Sequence, residues 1–123
     1  MDHRIKRATR FIEMNYSRRV SLRDLTNCAN LSESHFHRLF KLETRLSPAK
    51  YLKRVRIFEA AELLHRDEML LMKEVMNRVG ITDKTNFTRS FKEVLGITPT
   101  EYRGRLAAKQ RQVVQSWSTS GIT

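Results

Sequence analysis

NFTRSFKEVLGITPTEYR, residues 86 to 103, reads as a second version of HFHRLFKLETRLSPAKYL, residues 35 to 52. Shifted by 51 positions, Phe36, Arg38, Phe40, Lys41, Pro48 and Tyr51 fall on Phe87, Arg89, Phe91, Lys92, Pro99 and Tyr102. Leu46 meets Ile97 and Ser47 meets Thr98, so apolar, polar and helix-starting positions keep step as well. Upstream of each stretch the offset becomes 50, pairing Leu25 with Val75, Asn30 with Gly80 and Leu31 with Ile81. One device occurs twice in a chain of 123 residues.

The device is helical. Phe36, Leu39 and Phe40 recur at three- and four-residue steps, as do Phe87, Phe91, Val94 and Leu95, which places each set on one face of a helix. Gly80 and Gly96 suit the left-handed backbone that ends a helix. Ser47-Pro48 and Thr98-Pro99 are start signals, because a proline at the first helical position gives up an N–H that had no partner. A short helix after Ser21 ends at Asn30, with Leu31 and Ser32 forming the turn into the next. A later one stops at Gly80, after which Thr82 or Asp83 caps the following helix.

The remaining segments follow the same period. Residues 3 to 16 place Ile5, Ala8, Phe11, Ile12 and Tyr16 on one face of an opening helix. Residues 48 to 65 form one long helix, with Tyr51, Leu52, Val55, Phe58, Ala61 and Leu64 as its apolar stripe. Lys50, Lys53, Arg54 and Arg56 take its other face. The expectation is an all-α fold of seven helices in two helix-turn-helix subdomains: a first module over 1–47, a linker helix over 48–65 and a second module over 66–111. The tail, 112–123, is expected to fray after Val114 unless Val113, Val114 and Trp117 dock back on the first module.

Charge narrows the function. There are 24 Lys and Arg against 13 acids, a net charge of +11, which is the footprint of a nucleic-acid partner. Both copies are basic, whereas Glu59, Glu62, Asp67, Glu68 and Glu74 lie between them and point away from a polyanion. The single cysteine, Cys28, excludes an intramolecular disulfide; an inert, partly buried thiol is the default and a redox sensor the alternative. His35 and His37 stand two apart and point to different helix faces, so they do not chelate together. Met69, Met72 and Met76 read as core filling. Without a signal peptide or an apolar run of membrane-spanning length, a cytoplasmic protein with no membrane partner is expected. No phosphate loop, nucleophile elbow, metal-ligand set or catalytic carboxylate pair is present, so neither an enzyme nor a cofactor is expected.

A helix of this size fits the major groove of DNA, with side chains near its N-terminal part reaching base edges while the preceding helix braces it against the backbone. The 18 residues from 48 to 65 span roughly 27 Å at 1.5 Å per residue. With the flanking turns that approaches the 34–36 Å between successive major grooves on one face of B-DNA. One chain can therefore do what commonly takes a dimer. A basic helical RNA-binding or nucleoid-associated protein would also explain the charge, though not the duplicated device.

The segments LSESHFHRLFKLETRLSPAKYL and VGITDKTNFTRSFKEVLGITPTEYR resemble the two helix-turn-helix modules of the AraC/XylS family of bacterial transcription regulators, from about residue 3 to Arg103. The resemblance implies a sequence-specific regulator of double-stranded DNA, an activator. It places base-reading positions at Ser34, His37 and Arg38 in the first module and at Lys84, Thr85, Thr88 and Arg89 in the second. Arg38 and Arg89 can each offer a fork to guanine O6 and N7, or else clamp phosphate. Lys41 and Lys92 are expected on phosphates, with Arg45, Lys50, Lys53, Arg54 and the helix N-termini near Ser21 and Met72 as further backbone contacts. RNA polymerase is a further implied partner, for which Glu59, Glu62, Asp67 and Glu68 are the candidate surface.

The chain departs from the family pattern at Thr26 and Met76, where a small residue is usual, at Ile81, where an aromatic is usual, and at Arg45, where glycine is expected. Arg45 is thus predicted in a left-handed conformation costing about 1 kcal/mol. Because nothing resembles a sensing domain, the chain is either a stand-alone monomeric regulator or the DNA-binding part of a longer one.

Overall fold

The computed structural model describes the backbone of residues 1–119 and the side chains of residues 1–112. Seven helices and no strand occur among them: α1 (His3–Asn15), α2 (Leu22–Ala29), α3 (Glu33–Thr44), α4 (Pro48–Arg66), α5 (Met72–Val79), α6 (Lys84–Leu95) and α7 (Pro99–Thr119). α7 is still helical beyond Val114, where fraying was expected; its side chains from Val113 onward, and with them any docking of Val113, Val114 and Trp117, lie outside the described residues.

The helix boundaries follow from side-chain chemistry at each end. Ser21, Ser32, Ser47 and Asp83 each accept a hydrogen bond from a first-turn backbone N–H, satisfying donors that have no intrahelical partner. Of the two residues considered for α6, Asp83 is the cap, accepting from both Thr85 and Asn86. Asp24 accepts from Ser21 N in return, completing a capping box on α2. Four helices end in the left-handed region: α2 at Asn30 (φ 56°), α3 at Arg45 (φ 67°), α5 at Gly80 (φ 81°) and α6 at Gly96 (φ 83°).

Two separate cores result. The first joins Ile5, Ala8, Ile12, Leu25, Ala29, Phe36 and Phe40; the second joins Ile57, Ala60, Leu64, Val75, Met76, Val79, Phe87 and Phe91 with several neighbours. Each is centred on an aromatic triad that explains the repeated residues. Phe36 and Phe40 lie 5.3 Å apart and Tyr51 meets Phe40 edge-on at 5.5 Å; Phe87 and Phe91 lie 5.8 Å apart and Tyr102 meets Phe91 at 5.6 Å. All four phenylalanines are fully buried, each contributing about 1.5–3 kcal/mol by removal from water. The edge-on contacts add about 0.5–1.5 kcal/mol per pair.

α4 serves both cores, and here the structure corrects the single apolar stripe. At roughly 100° per residue, Pro48, Tyr51, Leu52 and Val55 share one face, which packs on the first core. Ile57, Ala60, Ala61 and Leu64 share a face roughly 180° away, which packs on the second. Phe58 continues the first stripe past the end of the first core, so it stands 48% exposed, with the Arg54 guanidinium over its ring at 5.6 Å. Met69, expected in a buried methionine stripe, is also exposed, because the turn before α5 turns it outward; Met72 and Met76 pack on the second core as expected. Met76 and Ile81, both departures from the family pattern, are simply buried there.

Candidate nucleic-acid interface

Burying Phe36 and Phe40 on one side of α3 leaves its opposite side to solvent, and Ser34, His37, Arg38 and Lys41 are all exposed on it. The same geometry on α6, set by buried Phe87, Ser90 and Phe91, exposes Lys84, Thr85, Arg89 and Lys92 and half-exposes Thr88. These five α6 residues line one open, basic recess. Asn86 is held back from this face by the Ser90 hydroxyl, which donates to its side-chain oxygen at 3.1 Å. The recess is therefore lined by residues that donate hydrogen bonds or present a methyl group, while the exposed Glu93 carboxylate stands on α6 outside it. On α3, Glu33 is the sole carboxylate in the first turn, where it complements the helix dipole.

The flanking basic residues divide. Arg45 and Lys50 are exposed at the turn between α3 and α4, and Arg54 is exposed over Phe58. Lys53 is not a free charge: on the side of α4 that faces the second module, its ammonium pairs with the Glu93 carboxylate of α6. The lysine holds that carboxyl below its ordinary range. Arg56 is likewise not part of an exposed basic face. Half-buried, it donates from Nε to Tyr16 O at 2.8 Å and from the guanidinium to Arg18 O at 2.9 Å, and burial disfavours its charged form. Arg103 donates to Leu70 O at 2.7 Å, fixing the turn before α5. The sequence offered no signal for these partners, since 33 to 40 residues separate them.

The two helix N-termini that precede α3 and α6 differ. Ser21 caps α2, whereas Leu71 precedes α5 and has no side-chain acceptor; only the return bond from Leu71 N to Glu74 Oε1 at 3.1 Å forms. First-turn N–H groups of α5 are thus left without a side-chain partner. In the acidic strip, Glu62, Asp67 and Glu68 are exposed, but Glu59 is half-buried and accepts from Tyr16 Oη at 3.4 Å. Cys28 is partly buried, and its carbonyl accepts from Arg7 Nε. Among the described residues no group of His, Cys, Asp and Glu is arranged to hold a metal ion, and no helix is long and apolar enough to cross a membrane.

A family profile described as a helix-turn-helix domain matches residues 25–105. The lactose operon transcription activator of Staphylococcus xylosus is 30% identical over 108 residues, covering 88% of this chain and 38% of that protein. The raffinose operon transcriptional regulatory protein of Pediococcus pentosaceus is 32% identical over 96 residues, covering 78% and 34%. The chain thus spans little more than a third of these relatives' length. The C-terminal domain of AraT, a response regulator from Geobacillus stearothermophilus, superposes with a TM-score of 0.77 at 28% identity, over 85% of this chain and 86% of that one. The DNA-binding domain of AdpA, solved with a target DNA, superposes with a TM-score of 0.81 at 22% identity, over 90% and 99%, a likeness of fold. With two helix-turn-helix units in order and the matched profile covering more than half of its residues, the chain belongs to the AraC-type helix-turn-helix family of transcription regulators.

Proposed function

We propose that this chain is a sequence-specific double-stranded DNA-binding regulator, an activator, that binds as a monomer and lays α3 and α6 into two successive major grooves. The observation that carries the reading is the equivalence of the two exposed helix faces, each held outward by the same pair of buried phenylalanines with a partly buried tyrosine edge-on to the second. Arg38 and Arg89 occupy matching places and are the groups suited to guanine; Ser34, His37, Lys84, Thr85 and Thr88 complete the base-facing sets. Lys41, Lys92, Arg45, Lys50 and Arg54, with the uncapped N-terminus of α5, supply phosphate contacts. Lys53 reaches phosphate only by leaving Glu93.

Activation is supported by the Staphylococcus xylosus relative, which is named as an operon activator. The exposed carboxylates Glu62, Asp67 and Glu68 then suit a basic surface of RNA polymerase; Glu59 is engaged by Tyr16 and stands aside. Binding to chromosomal DNA places the protein in the cytoplasm. Selection of bound duplexes from a random pool, followed by sedimentation on the selected site, tests the reading. The expected result is a bipartite site holding one chain. Equal affinity for single-stranded RNA, or an obligate two-chain complex on a minimal site, overturns it.

A further inference from the structure

α1 belongs to the first core through Ile5, Ala8 and Ile12, yet its last turn leaves that core and enters the second module. Tyr16 packs against the second core, and its hydroxyl donates to Glu59. Ser17 presses its backbone onto Gly80, the left-handed residue that ends α5: a Cβ added there would lie 2.7 Å from Ser17 O and 3.1 Å from Tyr16 O. This is backbone against backbone, a contact that leaves little room for sliding. The carbonyls at the end of a helix lack intrahelical partners, and Arg56 of α4 takes two from this turn, Tyr16 O and Arg18 O. Its planar fork offers both donors in a fixed geometry. The Lys53–Glu93 pair adds a second, exposed tie between α4 and α6.

We propose that Arg56 is a positioning residue: by clamping the end of α1 against Gly80 it fixes the angle between the two modules, and so sets the half-site spacing that this chain accepts. The inference rests on the reading that both modules engage DNA. One inserted base pair moves a half-site by about 3.4 Å and turns it by about 34–36°. A clamped pair of modules cannot follow that rotation, whereas an unclamped pair can.

The test measures equilibrium binding of the full chain to its selected site and to the same site with one base pair inserted or removed between the halves. The wild type should lose about tenfold or more for either change, and Arg56→Ala less than about threefold while keeping its base preference in each half. Arg56→Lys, which can reach one carbonyl, should fall between. Arg56→Ala with the wild type's sharp spacing dependence overturns the clamp while leaving the two-module reading intact; a wild type indifferent to spacing overturns both. Should Arg56→Ala not fold, the wild-type fold answers directly. With Cys28→Ser and spin labels at exposed Leu42 and Asn77, the DNA-free chain should give one narrow distance distribution, and a broad one overturns the clamp.

Discussion

Arg45 and Gly96 turn the same backbone corner, 51 residues apart, at φ 67° and 83°. Each ends its helix, α3 or α6, and each donates its N–H to a lysine carbonyl four residues back, Lys41 O or Lys92 O, at 2.8 Å. One position bears a Cβ in a region where L-residues are strained, and the other does not.

Arg45→Gly should therefore raise the melting temperature by about 2–4 °C, the strain relieved less the entropy gained by the unfolded chain. Gly96→Ala should lower it by about the same amount, because a Cβ there meets nothing within 4 Å and only the backbone strain is added. Thermal melts of both variants check the pair; a fall for Arg45→Gly contradicts the strain.

Gly80 should behave differently from Asn30, its counterpart in the first module. Asn30→Gly should change stability by less than about 1 kcal/mol, since Asn already tolerates its left-handed conformation. Gly80→Ala adds a clash with Ser17 O to the strain and should cost about 2 kcal/mol or more, read from urea unfolding. Equal effects would mean that the end of α1 yields freely.

Arg38→Ala and Arg89→Ala should each weaken the selected site by about 1–3 kcal/mol if the fork reads guanine. The lost base preferences should map to two patches about 10 base pairs apart. Lys41→Ala, by contrast, should weaken all sequences alike. If Arg38→Ala left preference untouched while Arg89→Ala abolished it, the first module would be a clamp on phosphate.

Affinity should fall by about 10³ to 10⁵ between 50 and 200 mM salt, the loss expected for six to ten neutralised phosphates. A titration across that range checks it. A flat response contradicts an interface built from these lysines and arginines.

The partly buried carboxyl of Asp2 caps α1 and bonds the Arg4 side chain, which with Arg4 N lowers its pKa from 3.8 to about 2. A depressed folded-state pKa gives stability that is fully present above pH 4 and is lost as pH falls towards 2. Asp2→Asn keeps a capping side chain but removes the charge. Its melting temperature should lie below the wild type's at pH 6, and the gap should close by about pH 2. A constant gap would assign the effect to cap geometry alone.

Helix ends were legible because local chemistry fixes them: Ser21, Ser47 and one of Thr82 or Asp83 as caps, and Asn30, Gly80 and Gly96 as stops. The polar faces of α3 and α6 were legible because the buried phenylalanines dictate the opposite side. The faces of α4 were not. Its apolar residues fit one stripe until a second core is known to lie behind Ile57, so Phe58 read as buried and Arg56 as exposed. Pairs such as Lys53–Glu93 depend on how two modules dock, which periodicity within either module does not encode.

The half-turn between the two buried faces of α4 makes this helix a shared wall rather than a tether. Pro48, Tyr51, Leu52 and Val55 close one room, and Ile57, Ala60, Ala61 and Leu64 close the other. Neither copy of the duplicated unit can be cut free without taking part of its sibling's wall. A gene fragment starting after Arg66 would leave Phe87 and Phe91 facing water, and one stopping before Pro48 would strip Tyr51 from Phe40. The motif occurs twice, and the helix between the copies makes the pair indivisible.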